Sequence, residues 1–479
     1  MLKGTDMEKT AAMQEFEKIC SIPRYSFHNE KIIEYCINWA KENGFAWEHD
    51  EKNGNVIITR EAAPGNENRT PLVIQGHLDM VAESDPGVEH DWDNEGVDFY
   101  IEDDWYKARG TTLGADDGVA AAIGFALLKD KELKNPHLEL LLTTDEEVGM
   151  LSVKDADLTG LKGQYLINID SGPEGIFTIG CSGGKLLKAI VLDNRETVEG
   201  YCYEINVGGL KGGHSGIEIT SEKGNAIKIL GEVLYRLSLK GDIRVSDVSA
   251  KGKDNAISNN ACCRFVTKMA PEKVEGVVAE VQTAFKRIFR KTDPDLFINV
   301  GSCPECDALA IGESTAMCFL LHNLPYGVIN FEQTLDTVET SANLGVIEKD
   351  EKGYGIYVSI RSSIAERSAE VAGKVRSLCS ICGAVCEDQD KDYPAWTADH
   401  DSPFLKRAMG IFEEMYGKKP SVHTTHGGLE CGYIMTNSNI EGIIAIGPDS
   451  EGEHTPQEKL NIPSFNRTYD FVKRIIESI

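Results

Sequence analysis

The chain has 479 residues, of which 41% are hydrophobic and 26% are charged, the balance of a globular protein with several domains. Its 77 acidic and 49 basic side chains give a formal net charge of −28, which argues against a protein that binds nucleic acid. No stretch of roughly 18 or more apolar residues predicts a transmembrane helix, and the start of the chain lacks the apolar core of a secretory signal. We therefore expect a cytoplasmic protein that binds neither nucleic acid nor a membrane, with its 13 cysteines reduced.

The first part of the chain predicts alternating strands and helices after a helical region at residues 8–44. A buried helix is predicted at Val119–Leu128, which contains a run of alanines. The predicted strands are Asn55–Thr59, Pro71–Gln75, Leu138–Thr144, Tyr165–Ile169 and Gly175–Ile179. This alternation favours an α/β fold with a mostly parallel sheet and helices on its faces.

The middle of the chain has a different pattern after Gly183-Gly184. Residues 185–394 contain three strand-then-helix units, and the first and third share the order of strand, polar turn and long helix, which is compatible with a duplicated α/β unit. These units are Tyr203–Val207 with Glu222–Leu239, Cys262–Met269 with Glu272–Arg290, and Tyr357–Arg361 with Ala365–Cys382. The last part of the chain predicts helix Phe404–Tyr416, strand Glu441–Ile446 and helix Ser464–Ser478.

Residues that commonly bind metals follow four of the predicted strands and open one helix. These clusters are His77-Leu-Asp79 after Pro71–Gln75, Asp145-Glu146-Glu147 after Leu138–Thr144, Asp170 after Tyr165–Ile169, His454 in the loop beyond Glu441–Ile446, and Asp116-Asp117 before Val119–Leu128. In open α/β sheets, ligands bind beyond the carboxyl ends of the strands. Histidines and carboxylates gathered at that edge predict a hydrolytic metal site.

Each cluster alone also has an ordinary structural explanation. Asp116 and Asp170 could form the turns in which aspartate is common, and the acids from Asp145 to Glu147 would suit the N-terminus of a helix. A His-x-Asp pair could equally end a strand at a turn. Five such clusters at corresponding edges together favour the metal site.

The chemistry of such a site assigns different tasks to its residues. A carboxylate such as Asp116 can bridge two cations, and Asp79 can fix the ring of the ligand His77. Of the adjacent acids Asp145-Glu146-Glu147, one can bind a metal while its neighbour acts as general base toward the water that the metal activates. The pattern of residues alone leaves open which acid takes which task.

The long separation between Asp170 and His454 predicts a discontinuous domain. If both residues bind one metal site, the region between them is an insertion. We therefore predict a catalytic domain formed by residues 1–184 and 395–479, with a lid domain at residues 185–394.

Two features of the predicted insertion carry chemistry of their own. His214 lies in the glycine-rich stretch Gly208–Gly216, which lacks the Gly-Lys-Ser/Thr ending of a phosphate-binding loop. Arg361 ends a predicted strand, where a guanidinium can hold a carboxylate through two hydrogen bonds. A plain glycine turn and an ordinary surface arginine are the alternatives.

These motifs together resemble those of the M20 metallopeptidase family, and most closely its aminoacyl-histidine dipeptidase branch. The resemblance extends almost from end to end of the chain. It rests on Gln-Gly-His77-Leu-Asp79-Met-Val, Gly-Thr-Thr-Leu-Gly-Ala-Asp116-Asp-Gly, Thr-Thr-Asp-Glu146-Glu147-Val-Gly, Leu-Ile-Asn-Ile-Asp170, Lys211-Gly-Gly-His214-Ser-Gly, Asp254-Asn255-Ala-Ile and His426-Gly-Gly-Leu-Glu430-Cys-Gly. It implies an α/β fold in which a mostly parallel-sheet, di-zinc exopeptidase-like catalytic domain is interrupted by an inserted α/β lid domain.

The resemblance also implies a ligand set for two zinc ions. In this set Asp116 bridges the two metals. His77 and Asp170 complete one metal site. Glu147 and His454 complete the other.

The remaining candidate residues receive catalytic and substrate-binding roles from the same resemblance. Asp79 orients His77, and Glu146 is the general base and later the proton donor to the leaving amine. His214 helps to stabilise the oxyanion, and Arg361 binds the C-terminal carboxylate of the substrate. The implied substrate-binding residues are His214, Asn255, Arg361, Gly428 and Glu430.

The expected activity is the hydrolysis of unblocked dipeptides, including Xaa-His dipeptides such as carnosine, with Glu146 as general base toward metal-bound water. Mn²⁺ or Co²⁺ could replace zinc, because carboxylate-rich sites select weakly among such cations. Two alternatives stay open: an M20 amidase or deacylase of N-acyl amino acids, and a catalytically dead module that retains a metal. A dipeptide is the expected partner, and the sequence leaves both a monomer and a homodimer open.

Overall fold

The chain forms two structural units, and the second unit is inserted into the first. The computed structural model describes residues 9–304 and 307–479. The first unit takes in the chain up to Gly180, Ala398–Thr424 and Leu429–Ile479, and the second takes in Cys181–Thr397 and Thr425–Gly428. The predicted α/β architecture with an inserted domain is therefore confirmed. None of the helices in the described residues has the length and apolar character that crossing a membrane requires.

The first unit begins with two helices in the region that the sequence predicts to be helical. Pro23 lies between them, and a proline cannot continue the hydrogen bonding of a helix. The helices before Gly180 are α1 (Ala11–Cys20), α2 (Glu30–Asn43), α3 (Ala115–Lys129) and α4 (Leu151–Lys154). The strands of this part are β1 (Ala46–His49), β2 (Val56–Arg60), β3 (Leu72–His77), β4 (Phe99–Glu102), β5 (Trp105–Ala108), β6 (Leu138–Thr143), β7 (Tyr165–Asn168) and β8 (Ile176–Cys181).

The second unit contains two larger antiparallel sheets together with helices. Its strands are β9 (Gly183–Leu192), β10 (Arg195–Glu196), β11 (Tyr201–Gly208), β12 (Gly213–His214), β13 (Ile243–Ser249), β14 (Ala256–Ile257), β15 (Ala261–Thr267), β16 (Phe297–Ser302), β17 (Ala308–Leu309), β18 (Gly327–Phe331), β19 (Val338–Lys349), β20 (Gly353–Ser362) and β21 (Val385–Asp388). Its helices are α5 (Ala226–Ser238), α6 (Pro271–Ile288), α7 (Ile311–Asn323) and α8 (Ala365–Cys382). The sheets have the orders β13-β15-β11-β16 and β18-β19-β20-β9-β21.

Helix α5 begins later than the sequence predicts. The prediction starts it at Glu222, whereas the structure starts it at Ala226. The side chain of Asn225 accepts hydrogen bonds from the backbone N–H groups of Ile227 and Lys228, which caps the helix at this point. Strand β11 precedes α5 and strand β20 precedes α8, as the predicted strand–helix units require. The duplication of such a unit stays a prediction.

The chain returns to the first unit and completes its eight-stranded sheet. The added elements are α9 (Pro403–Tyr416), β22 (Ser421–Thr425), α10 (Cys431–Asn437), β23 (Gly442–Ala445), β24 (Ser450–Glu451), β25 (Lys459–Asn461) and α11 (Ile462–Ile476). The sheet has the order β1-β2-β6-β3-β7-β23-β8-β22. Strands β6, β3, β7 and β23 run parallel, whereas the pairs β1–β2, β2–β6 and β23–β8 are antiparallel. The predicted parallel sheet is therefore found at the centre, and the flanks add antiparallel strands.

The central strands are buried because helices cover the sheet. Every residue of β3 and β6 is buried, and α3 is buried along nearly its whole length. Gly76 in β3 permits the close approach of α3, since an added Cβ would lie 2.1 Å from the Cβ of Ala120 and 2.2 Å from Oδ2 of Asp117. The packing therefore places the first turn of α3 directly against the end of β3.

Candidate metal centre

The candidate site lies at the carboxyl edge of the four parallel strands of the first unit. The order β6-β3-β7-β23 places these strands side by side, and their registers pair His77 with Thr143 and Gln75 with Asn168. Residues that follow these strands therefore emerge next to one another. The polar clusters predicted from the sequence occupy these positions.

His77 ends β3, and only 1% of its surface is exposed. Its Nδ1 lies 3.0 Å from the backbone oxygen of Asp79 and 3.4 Å from Oδ1 of the same residue. Its Nε2 lies 3.0 Å from Oδ1 of Asp116 and 3.9 Å from Oδ1 of Asp170. Asp79 therefore fixes one side of the ring, and the nitrogen on the other side faces two carboxylates.

Asp116 occupies an irregular first turn of α3. Its φ of −78° and ψ of 108° are not helical, and its peptide bond to Asp117 is cis. Oδ1 of Asp116 faces His77, and Oδ2 lies 3.2 Å from Nε2 of His454. One carboxylate thus faces two different histidines, which is the arrangement that a residue bridging two cations requires.

Two sets of three ligand atoms share Asp116. His77, Asp116 and Asp170 form one set, and Asp116, Glu147 and His454 form the other, with the ligand atoms of each set within 4.8 Å of one another. Nitrogen and oxygen donors of this kind fit divalent cations such as zinc. Oε1 of Glu147 is buried and lacks a hydrogen-bond partner among the described residues, as is expected of an atom that a cation would satisfy.

Glu146 lies beside these two sets. It forms a third possible set with His77 and Glu147. A cavity of about 210 Å³ adjoins Asp116 and Asp170 in the same unit. The structure therefore brings together the five predicted metal ligands and Glu146, and their individual roles stay predictions.

Asp79 contacts more of the site than the single histidine that the sequence predicts. Its Oδ1 accepts a hydrogen bond from the backbone N–H of Glu146 at 3.1 Å, and its Oδ2 accepts one from that of Glu147 at 3.3 Å. Burial raises the pKa of Asp79, but hydrogen bonds from His77, Ser26 and Glu146 outweigh it and hold this pKa below its usual value. The ionised Asp79 therefore ties the loop after β6 to the end of β3.

The side chain of Asp145 makes hydrogen bonds that are separate from those of the other two acids of its cluster. Its φ of 55° is a left-handed conformation that is uncommon for residues other than glycine. Its Oδ1 accepts hydrogen bonds of 2.6 Å from the backbone N–H of Phe27 and from the side-chain amide of Asn29. Of the three adjacent acids, Glu146 and Glu147 are therefore the ones that join the candidate ligand sets.

The acids and histidines of the site shift one another's pKa values. Hydrogen bonds to Asp116 and Glu147 raise the pKa of His454 to about 11. Burial raises the pKa of Glu146 to about 8, and burial also raises the pKa of Asp170 well above its usual value. At neutral pH the site therefore holds protons that a divalent cation would displace.

Two fully buried acids hold the ends of the central strands. Glu430 is 0% exposed, and its Oε2 accepts hydrogen bonds of 2.6 Å from Gln75 and from Thr143. Oδ2 of Asp117 accepts a hydrogen bond of 3.2 Å from the backbone N–H of His77. These contacts are structural, and the substrate-binding role of Glu430 stays a prediction.

In the second unit, His214 ends β12 with a defined hydrogen-bonding pattern. Its Nδ1 accepts hydrogen bonds from the backbone N–H groups of Gly216 at 3.3 Å and Ile217 at 3.1 Å. Burial and the charge of Arg361 lower the pKa of His214. The ring is therefore neutral near pH 7 and carries its proton on Nε2, where it can donate a hydrogen bond.

Arg361 lies close to His214 in the same unit. A Cβ added to Gly216 would lie 3.0 Å from Cε1 of His214, 3.0 Å from the backbone oxygen of His426 and 3.2 Å from Nε of Arg361. Nη1 of Arg361 donates a hydrogen bond of 2.6 Å to the hydroxyl of Tyr393, while its buried Nε lacks a partner among the described residues. This guanidinium is therefore a candidate for binding an anion.

His426 is a neighbour of this cluster for which the sequence predicted no role. Its Nε2 lies 2.7 Å from Oγ of Ser341, and burial lowers its pKa to about 4. Asn255 is exposed before β14, and Gly428 belongs to the returning segment of the second unit. The structure thus brings His214 and Arg361 together, and the substrate-binding roles of Asn255 and Gly428 stay predictions.

A comparison with known proteins connects this geometry to a family. Residues 73–478 match the profile of peptidase family M20/M25/M40. The chain belongs to the M20 peptidase family. The resemblance that the sequence motifs predict is therefore confirmed.

Proteins similar to this M20 chain include two named dipeptidases and a named tripeptidase. The cytosol non-specific dipeptidase of Escherichia coli (strain K12) is 35% identical over 471 residues, which cover 97% of this chain and 96% of the relative. The crystal structure of aminoacylhistidine dipeptidase from Vibrio alginolyticus has a TM-score of 0.89 and 32% identity, and the match covers 98% of this chain and 96% of that one. A tripeptidase from Staphylococcus aureus shares the fold, with a TM-score of 0.60, 15% identity and coverage of 98% and 97%.

Binding of Zn²⁺ to this M20 protein at pH 7 is expected to release protons. His454, whose pKa is raised to about 11 by Asp116 and Glu147, is protonated at that pH and must lose a proton to bind a cation. The affinity for Zn²⁺ should therefore rise with pH. Calorimetric titration in two buffers with different ionisation heats counts the released protons, and the variant His454→Ala should release fewer. A binding heat that does not depend on the buffer would contradict this expectation.

Proposed function

We propose that the protein is a metal-dependent dipeptidase that hydrolyses unblocked dipeptides. The observation that carries this proposal is the pair of three-ligand sets that share Asp116, with Glu146 beside them. The Escherichia coli and Vibrio alginolyticus relatives are both named dipeptidases, and the chain matches each of them over nearly its whole length. Because the Vibrio relative is named for aminoacylhistidine dipeptides, the proposed substrates include Xaa-His dipeptides such as carnosine.

The proposed cofactor is a pair of zinc ions. His77 and Asp170 would hold one ion, Glu147 and His454 would hold the other, and Asp116 would contact both. Bound cations of this type polarise a carbonyl group and lower the pKa of a water molecule. Mn²⁺ or Co²⁺ would fit the same nitrogen and oxygen donors.

Glu146 is the residue to which we assign proton transfer. Its carboxylate would take a proton from the attacking water and then deliver it to the leaving amine. Burial raises the pKa of Glu146 to about 8 in the cation-free site. Bound cations would lower this pKa and favour the carboxylate, the form that accepts a proton from water. The hydrogen bond from its backbone N–H to Asp79 supports this role because it fixes the position of the residue.

We assign substrate recognition to residues of the second unit. The neutral ring of His214 would donate its Nε2–H to the oxyanion that forms during hydrolysis. Arg361 would bind the C-terminal carboxylate of the dipeptide. Asn255 and Gly428 are proposed as further substrate-binding residues, together with Glu430 from the first unit.

Hydrolysis of Ala-His and carnosine, compared with N-acetyl amino acids, tests the proposal. A dipeptidase requires a free substrate amine, whereas an M20 amidase or deacylase acts where the amine is blocked. The protein is loaded with Zn²⁺, Mn²⁺ or Co²⁺, and the released amino acids are quantified by chromatography. We expect cleavage of the dipeptides alone. Cleavage of only the N-acetyl compounds would support the deacylase, and cation binding without turnover of any compound would support a catalytically dead module.

We also propose a cytoplasmic location. The support for it is the name of the Escherichia coli relative, which is a cytosol dipeptidase. Fractionation of cells that produce the protein, with dipeptidase activity measured in each fraction, checks this location.

A further inference from the structure

Glu458 is a buried acid of the first unit whose side-chain carboxylate accepts hydrogen bonds from one backbone segment. It precedes β25, and only 2% of its surface is exposed. Its Oε2 accepts hydrogen bonds from the backbone N–H groups of Leu113 at 2.8 Å and Gly114 at 2.9 Å, and its Oε1 accepts one from that of Asp116 at 3.2 Å. One carboxylate therefore binds three N–H groups of the loop that carries the shared candidate ligand.

Arg24 binds the same loop from the carbonyl side. Arg24 is 2% exposed, and its guanidinium donates hydrogen bonds to the backbone oxygens of Gly114, Leu78 and Asp79. Gly114 has a φ of 70°, and a Cβ at that position would lie 2.5 Å from Nη2 of Arg24. The Gly114 residue is thus held by a buried carboxylate at its N–H and by a buried guanidinium at its carbonyl.

Burial of a carboxylate destabilises the fold unless hydrogen bonds compensate for the lost water, and here backbone N–H groups supply these hydrogen bonds. Residues that contact a metal ligand without touching the metal commonly set the orientation of that ligand. The orientation matters most for Asp116, because its two oxygens face His77 and His454 on different sides. A small rotation of the loop would move one oxygen out of its ligand set.

We propose that Glu458 is a positioning residue, which fixes the backbone at Asp116 so that this carboxylate serves both cation sets at once. This inference rests on the proposed two-cation function. Glu458 belongs to none of the three candidate ligand sets in the described residues, and it acts through the peptide groups of Leu113, Gly114 and Asp116. Loss of the oxygen acceptors that it presents to these N–H groups should weaken the binding of the second cation more than that of the first.

Glu139 provides a matched control within the same unit. It is also a buried glutamate, 4% exposed, and it also accepts hydrogen bonds from backbone N–H groups, those of Lys162 and Gly163. Glu139 lies near the start of β6, away from the strand ends that form the candidate site. The same substitution at Glu139 therefore measures what the loss of a buried carboxylate does to the fold alone.

The test is a titration of the cation-free full chain with Co²⁺, followed by calorimetry and by visible absorption, for the wild type, Glu458→Gln and Glu139→Gln. Glutamine keeps the length of the side chain but turns an N–H₂ group toward backbone donors. We expect Glu458→Gln to bind the second Co²⁺ about 10–100-fold more weakly and to change the Co²⁺ absorption spectrum. Glu139→Gln should lower the thermal midpoint and leave both Co²⁺ affinities and the spectrum unchanged.

Wild-type Co²⁺ affinities and an unchanged spectrum in Glu458→Gln would overturn the positioning role. Should that variant not fold, Glu458→Asp keeps the charge but is one methylene shorter, and the same selective loss of the second Co²⁺ is expected. Binding of both ions by Glu458→Asp as in the wild type would equally overturn the proposal. Because the readout is cation binding, a failure here is distinct from a failure of the proposed function, which would appear as an absence of dipeptide cleavage by the wild type.

Discussion

Replacement of Glu146 by Gln is expected to reduce kcat for Ala-His by about 10²–10⁴-fold, because a general base is lost while the shape of the side chain is kept. The variant should still bind two cations, since the two sets that share Asp116 do not contain Glu146. KM should change little, because the proton is transferred only as the reaction proceeds. The measurements are kcat, KM and the metal content per chain.

The same variant decides between two roles for Glu146. Its carboxylate also forms a candidate set with His77 and Glu147, so a ligand role would predict loss of a cation along with the loss of turnover. Glu132→Gln, at an exposed position after α3, is the control and should match the wild type in both measurements. An unchanged kcat in Glu146→Gln would contradict proton transfer, and a metal content below two would point to a ligand role.

The ends of the parallel strands could be predicted from the sequence because the signal there is local. Each buried strand is a short apolar run, and the polar residues that follow it lie at a defined edge of the sheet. His77 and Asp170 lie beside one another at this edge, with Nε2 and Oδ1 3.9 Å apart, although 93 positions separate them in the chain. The parallel order of β6, β3, β7 and β23 is what brings them together.

The antiparallel flanks of the sheet could not be predicted from alternation alone. Periodicity identifies a strand but carries no information on its direction. The short loop from His49 to Val56 can join β1 and β2 only as antiparallel neighbours, because a parallel pair needs a longer crossover. The length of the loop therefore indicates the antiparallel direction of these two strands, which the alternation of strands and helices does not.

Contacts between distant parts of the chain were also beyond prediction from motifs. Glu458 and Leu113 are 345 positions apart, and neither the spacing nor the composition around Glu458 marks it as a partner of the Asp116 loop. Arg24 lies between two helices, and the sequence around it does not indicate that it is buried against Gly114. These residues are recognised only when burial and hydrogen-bond partners are known.

Replacement of Asp116 by Asn is expected to prevent the binding of two cations. Oδ1 of Asp116 faces His77 and Oδ2 faces His454, whereas an asparagine keeps one oxygen and presents an N–H₂ group in place of the other. The negative charge between the two sets is lost as well. At most one cation should bind, and hydrolysis of Ala-His should fall strongly, because a lost cation would no longer polarise the scissile carbonyl or lower the pKa of the attacking water.

Asp117→Asn is a demanding control because it changes the next residue in the same way. Burial raises the pKa of Asp117 well above its usual value, which favours the neutral form of its carboxyl group, and asparagine is likewise neutral. The amide oxygen can still accept the hydrogen bond from the backbone N–H of His77. Asp117→Asn should therefore keep both cations and most of the activity.

Asp170 and His454 each belong to only one of the two ligand sets, so their variants serve as comparisons for Asp116→Asn. Asp170→Asn should weaken only the set with His77, and His454→Ala should weaken only the set with Glu147, so each should retain one tightly bound cation. Asp116→Asn should differ from both by affecting the two sets together, which titration with Co²⁺ or Zn²⁺ measures directly. If Asp116→Asn bound two cations as the wild type does, Asp116 would not be the shared ligand, and the two sets would have to act as independent sites.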